Sequence, residues 1–224
     1  MAKIIVTGAS RGIGLEAVRF LLEEGHEVVA ISRTESPLQG TDLPLFRSVC
    51  IDLADSNFDS LHELIKDWSR VDALIHNAGA FLNKPFSETS IKDFESIYRV
   101  NVFGVARLTQ ALANKLVSGS HVLGISSMGG IQGSMKFPGL AAYSSAKGAV
   151  ITLSELLAEE YKEEQIAFNV LALGAVQTEM LEEAFPGFKA PVSPIEMANY
   201  IFEFALTGNK FYNGKVLEVS STTP

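Results

Sequence analysis

Short β-branched apolar runs alternate along the chain with longer stretches in which apolar residues return every three or four positions. Ile4-Ile5-Val6, bounded by glycine, reads as a buried parallel strand. From 15 to 24, Leu15, Val18, Leu21 and Leu22 recur at helical spacing with charged residues between them, and Gly25 stops the helix. Residues 27–31 predict a second strand and 45–53 a third, followed by a helix that Asp55 or Ser56 caps and that runs to about Trp68. Residues 72–75 form a fourth strand, and Ser90-x-x-Asp93 resembles a capping box that opens a long helix over 91–117. A fifth strand at 121–125, a helix from Leu140 to about Tyr161 and a sixth strand at 165–173 come next. Ser193-Pro194-Ile195-Glu196 then caps a helix to about Leu206, and 215–219 is the last strand. Strands and helices alternating at this spacing predict one α/β domain over 1–224: a doubly wound parallel β-sheet of about seven strands with helices on both faces.

Bulk properties narrow the function classes. A chain of 224 residues with 47% apolar and 20% charged residues is long enough for one full hydrophobic core, without a linker or repeat. A formal charge of -8 argues against nucleic acid or an anionic membrane as partner, and it requires local cations wherever an anionic cofactor binds. Cys50 is the only cysteine, so no intrachain disulfide forms; in a strand it reads as a buried thiol. The first strand begins at Lys3, leaving no room for a signal peptide, and the longest uncharged run, 116–135, is broken by Gly, Ser and His121. The expectation is a soluble cytoplasmic protein.

Candidate chemistry begins at Thr7-Gly8-Ala9-Ser10-Arg11-Gly12-Ile13-Gly14, between the first strand and the first helix. A strand, a glycine turn and a helix aim free backbone N–H groups at one point, which suits a phosphate. The second strand ends at Ser32-Arg33-Thr34, where an acid would hold the ribose 2′-hydroxyl of NAD. Arg33 and Arg11, with two hydroxyls, instead suit a 2′-phosphate, so NADP(H) is favoured over NAD(H). Taken singly, both arginines also read as solvated surface residues. Tyr143 and Lys147 stand at i and i+4 on one helix face. An ammonium about 4–5 Å from a phenol, at an effective dielectric near 20, supplies roughly 3–4 kcal/mol, or about 2–3 pK units. That would bring the phenol toward the pH of a working acid–base. Alone, the pair reads equally as surface residues on an amphipathic helix.

Together, Thr7-Gly8-x-x-x-Gly12-x-Gly14, Asp52-Leu53, Asn77-Ala78-Gly79, Asn101, Ser126-Ser127, Tyr143-x-x-x-Lys147 and Gly174-x-x-x-Thr178 resemble the short-chain dehydrogenase/reductase family, in order and over nearly the whole chain. The resemblance implies a Rossmann fold and hydride transfer between a carbonyl and an alcohol. It implies Tyr143 as the proton donor, Ser127 as hydrogen-bond donor to the substrate oxygen, and Lys147 on the phenol and the nicotinamide ribose. Asn101 would anchor a water that links Lys147 to solvent. On the cofactor it implies Gly8, Ser10, Arg11, Gly12, Ile13 and Gly14 at the phosphates and Ser32 and Arg33 at the adenosine ribose. Asp52 and Leu53 would meet the adenine, Asn77, Ala78 and Gly79 the adenosine side, and Gly174, Val176 and Thr178 the carboxamide. No metal is implied, and a homodimer or homotetramer built on the helices from Ile91 and Leu140 is the family expectation.

Three departures stand out. Leu173 replaces the usual proline before Gly174, which predicts a less rigid turn. His76 replaces the first asparagine of Asn-Asn-Ala-Gly. The interval from Ser127 to Tyr143 is about three residues long by family standards, with Met135-Lys136-Phe137 as the insertion beside the substrate pocket. Phe81, Leu82, Met135, Phe137, Met180, Phe185 and Phe188 are the expected pocket walls, implying a small, moderately apolar substrate. The lid at 179–193 is short and predicts an open site. An NADP-binding sensor with little turnover is the competing reading, against which the intact Asn–Ser–Tyr–Lys set argues.

Overall fold

The computed structural model describes residues 1–55 and 57–220. Its strands are β1 (Lys3–Thr7), β2 (Glu27–Ser32), β3 (Phe46–Cys50), β4 (Val71–His76), β5 (Leu116–Ser127), β6 (Ala167–Leu173) and β7 (Lys215–Val219). They form one parallel sheet in the order β3-β2-β1-β4-β5-β6-β7. The strand order reverses between β1 and β4, so the connections leaving their carboxyl ends diverge and open a crevice. The helices are α1 (Gly12–Glu23), α2 (Asp59–Leu64), α3 (Ile91–Tyr98), α4 (Gly104–Leu112), α5 (Ala141–Glu160), α6 (Glu179–Ala184) and α7 (Pro194–Thr207).

The strand period of two builds two cores. Ile4, Val6, Val28 and Ala30 point to one face, where Val18 and Leu21 of α1 meet Ile201 and Phe204 of α7. Ile5, Val29 and Ile31 point to the other, under Leu61, Leu108 and Leu112. Both capping boxes form. The Ser90 and Ser193 hydroxyls accept the backbone N–H of Asp93 and Glu196, whose carboxylates return the bond to the cap.

Four features differ from expectation. α2 starts at Asp59 because the chain first makes a turn at 52–55, with Asp52 Oδ1 accepting the Ala54 N–H at 2.9 Å; Ser56, the alternative cap, lies outside the described residues. The helix from Ile91 does not run unbroken to 117: a π-helical turn at Arg99–Phe103 separates α3 from α4, and a 3₁₀ turn ends the run at Lys115. β5 accordingly begins at Leu116, paired with Val71, with a register shift before Ala73. Cys50 is exposed, since among the described residues β3 is an edge strand with no neighbour beyond it. Leu173, before the turn that follows β6, is buried and in register with Val219, and the Gly174 N–H bonds the Val219 carbonyl at 2.9 Å. Among the described residues no helix is long and apolar enough to cross a membrane.

Candidate active site

The glycine turn leaves β1 at the crevice and is shaped by close approach. A Cβ on Gly14 would lie 2.2 Å from the Gly8 carbonyl oxygen and 2.5 Å from Asn77 Nδ2. Gly8 has φ +68 and has the Ala78 backbone where a side chain would start. Asn77, at the end of β4, donates to the carbonyls of Thr7 (3.0 Å) and Gly8 (3.2 Å), while the Thr7 hydroxyl accepts the Ala78 N–H at 3.0 Å. The two strand ends flanking the crevice are thereby tied together. α1 begins at Gly12 with no side-chain cap and no acid in its first turn. Its leading N–H groups are thus left for an anion, and the residues fit a pyrophosphate.

A cleft of about 560 Å³ runs from this turn along the sheet edge. Gly8, Ser10, Arg11, Gly12 and Ile13 line it at the turn, Ser32, Arg33, Asp52 and Leu53 at the ends of β2 and β3, and Asn77, Ala78 and Gly79 after β4. Ser127, Tyr143, Lys147, Gly174, Val176 and Thr178 line its other half. Arg11 and Arg33 are exposed and make no ion pair among the described residues. Ser32 is less free than its sequence suggests, because its hydroxyl donates to the Thr34 carbonyl at 2.6 Å. Gly14 and Asn101 do not line the cleft. Gly14 lies behind the turn, and Asn101, buried in the π-helical turn, exchanges both amide bonds with the Ala80 backbone at 2.8 Å. It fixes the segment after Gly79, where a Cβ would lie 3.3 Å from Asn101 Oδ1 and 3.5 Å from Lys147 Nζ.

Tyr143 and Lys147 rise from the first turns of α5. Lys147 is buried; its Nζ donates to the Ile125 carbonyl at 2.7 Å and stands 5.8 Å from the centre of the Tyr143 ring. Burial lowers the ammonium to about 8. The phenol, hydrogen-bonded to Ser127, behaves opposite to the expectation of an acidified tyrosine. Desolvation pushes it up to about 12, and the Ser127 hydroxyl pulls only part of the way back. The simple Coulomb argument omitted the loss of water around both groups, which in a low-dielectric wall outweighs the attraction.

The substrate half departs from the sequence expectation in its details. Phe81, Phe137, Met180 and Phe185 line the cleft, whereas Leu82, Met135 and Phe188 do not. Leu82 packs instead on Ile97, Ala142 and Ala146, and Met135 is 60% exposed. Met128, Leu140 and Ala184 line the cleft and were not anticipated; none has a local signal, since each arrives on a connection whose path the fold decides. Thr178 and, from the lid, Glu179, Met180, Leu181, Ala184 and Phe185 line the cleft. α6 is capped by Thr178 Oγ1, which accepts the Leu181 N–H at 3.2 Å, and Glu179 Oε2 would stand 3.6 Å from a Cβ on Gly12.

Comparison with known proteins agrees with this geometry. The family model described as short chain dehydrogenase matches residues 2–187. Carbonyl reductase (NADPH) 2 of Sus scrofa is 32% identical over 180 residues, covering 80% of this chain and 73% of the relative. Gluconate 5-dehydrogenase of Gluconobacter oxydans is 30% identical over 97% of this chain and 93% of its own. Among solved structures, a 4-hydroxyisoleucine dehydrogenase complexed with NADH superposes with a TM-score of 0.84 at 25% identity, over 98% of this chain and 97% of that one.

Proposed function

The chain belongs to the short-chain dehydrogenase/reductase family, and from that premise we propose that it is an NADP(H)-dependent oxidoreductase that reduces a carbonyl on a small, moderately apolar substrate. One observation carries the reading: the Ser127–Tyr143–Lys147 cluster opens on the same cleft as an uncapped glycine turn flanked by two arginines without ion-pair partners among the described residues. Arg11 and Arg33 would hold a 2′-phosphate, and no acid stands at the end of β2 to repel it. The relative named for NADPH supports this choice. The exposed apolar side chains of Ile91, Phe103 and Leu156 support self-association of copies through the faces of α3 to α5.

When bound, the reduced nicotinamide supplies a hydride to the carbonyl carbon. Ser127 hydrogen-bonds the carbonyl oxygen as it gains charge, and Tyr143 gives that oxygen its phenolic proton. Lys147, still mostly charged at pH 7, stabilises the phenolate left behind and would hold ribose hydroxyls. Solvent then returns the proton to Tyr143.

Replacing Tyr143 by Phe tests this directly. NADPH titration should still show binding, because the ring that walls the cleft is kept, while NADPH consumption with aldehydes and ketones falls about 10²–10⁴-fold. Turnover equal to the parent would remove Tyr143 from the reaction. Binding without consumption by the parent protein across a broad carbonyl panel would favour a sensor.

A further inference from the structure

Three connections meet over the half of the cleft beyond Tyr143: the segment after β4, the loop between β5 and α5, and the lid. Each delivers a phenylalanine to the cavity wall: Phe81, Phe137 and Phe185. Phe81 stands edge-on to the Tyr143 ring, with centroids 5.1 Å apart at 64°, and Phe137 stands edge-on to Phe185 at 5.6 Å and 69°. These are the arrangements in which a positive ring edge meets a negative ring face.

The three connections are also fastened to each other. Asn83 Nδ2 donates to the Ala184 carbonyl of the lid at 3.1 Å, and the Lys84 N–H donates to the Gly139 carbonyl at 2.9 Å. A Cβ on Gly139 would lie 2.1 Å from Asn83 Oδ1, so the loop passes against that amide with no room to spare. The rings are therefore held by backbone and amide contacts that exist before any substrate arrives.

Apart from the buried Lys147 ammonium beside Tyr143, which is turned to the Ile125 carbonyl, charge in the cleft lies in the glycine-turn half: Arg11, Arg33 and Asp52 stand at the turn and the ends of β2 and β3, and Glu179 faces Gly12. The walls that accompany the aromatic rings include Met128, Leu140, Met180, Leu181 and Ala184, and the Ser127 and Tyr143 hydroxyls stand beside them. Among the side chains there, Ser127 and Tyr143 serve one substrate oxygen, the one being reduced. Each further hydroxyl or carboxylate entering would lose water without gaining a side-chain partner, at a cost of about tenfold or more in affinity.

From this geometry we propose that the substrate is an uncharged aryl-bearing ketone or aldehyde, with its ring among Phe81, Phe137 and Phe185, and not a sugar, a sugar acid or another anionic carbonyl. The proposal rests on the carbonyl-reductase reading above and narrows its substrate. It also separates this chain from what one relative's name describes, since gluconate is an anion with several hydroxyls.

The test measures kcat/KM at saturating NADPH for 1-phenyl-1,2-propanedione, 2,3-pentanedione, L-xylulose and 5-keto-D-gluconate. The aryl diketone should exceed the dialkyl diketone by about tenfold and both sugars by about 10²-fold or more. In Phe137→Leu and Phe185→Leu, which keep most of the apolar volume, the aryl-to-dialkyl ratio should fall from about ten toward one. A sugar or keto acid outpacing the aryl diketone, or an aryl-to-dialkyl ratio unchanged in both variants, overturns the proposal. If no probe is consumed, the oxidoreductase reading fails by itself and calorimetry decides the pocket: phenylpropanedione binding that weakens in Phe185→Leu upholds the aromatic site, and absence of binding overturns it.

Discussion

The two halves of the cleft are built by different means. The half proposed for the cofactor consists of backbone and small side chains at the ends of the central strands β1 and β4, locked by Asn77 and Thr7. The substrate half consists of large side chains on three connections, fastened by Asn83 and by ring-to-ring packing. A ligand common to many enzymes is thus met by geometry that tolerates almost no substitution, and a particular substrate by side chains that can change without disturbing the sheet. Substitutions in the two halves should accordingly separate loss of binding competence from loss of selectivity.

The largest effect is expected at the glycine turn. Gly14→Ala places a methyl carbon against the Gly8 backbone carbonyl and the Asn77 side-chain amide, which is held by the Thr7 and Gly8 carbonyls, and should cost about 3 kcal/mol in denaturant-measured stability. It should also weaken NADPH binding by about 10²-fold or more, because the displaced turn is the proposed phosphate site. Parent-like affinity in this variant would show that the turn yields more easily than its contacts indicate.

Acid exposes the support behind that turn. His76 is buried at the end of β4, and the Thr109 hydroxyl, which donates to the Val105 carbonyl, must accept its Nε2–H at 2.9 Å. Its Nδ1 has no partner among the described residues, and burial lowers the imidazole to about 3. A folded-state value below the unfolded one means that stability is fully present above pH 6.5 and is lost as pH falls toward 3. At pH 5 the loss from this residue should be about 2 kcal/mol. His121, lowered to about 4 by burial despite its bond to the Ala205 carbonyl, should add about as much. Urea midpoints at pH 7 and 5 for the parent and for His76→Asn check this: the variant should lose about 2 kcal/mol less on acidification.

A smaller effect is expected from Arg33→Ala. The guanidinium is exposed, so solvent screens it, and the preference for NADPH over NADH should fall about tenfold in paired titrations. An unchanged preference would leave Arg11 as the only cation for the 2′-phosphate. The smallest belongs to Asn83→Ala, which removes one bond between the lid and the segment after β4. Global stability should change by no more than about 1 kcal/mol, while hydrogen exchange of the lid amides around Ala184 quickens about fivefold. If instead the amides of β1 lost protection, the two halves would not be separable.

What could be read from residue order alone is what depends on near neighbours. Periods of two and of 3.6, both Ser-led capping boxes and the glycine turn follow from backbone sterics within a few residues, and each appears where it was expected. Most of the family motifs reach further because they lie at a strand's carboxyl end, and a parallel sheet brings all such ends to one edge; Asn101, in the π-helical turn, and Tyr143 and Lys147, on α5, are brought there by the packing of helices. Properties set by distant segments could not be read that way. Adjacent side chains on an irregular connection diverge, so Phe81 enters the cleft while Leu82 turns to Ile97 and Ala146. Cys50 is exposed because among the described residues nothing pairs beyond β3, and the Tyr143 phenol is raised instead of lowered because the surrounding walls remove its water. Local sterics act along the chain and are written in it; burial and desolvation depend on which distant atoms arrive, and only the folded arrangement decides that.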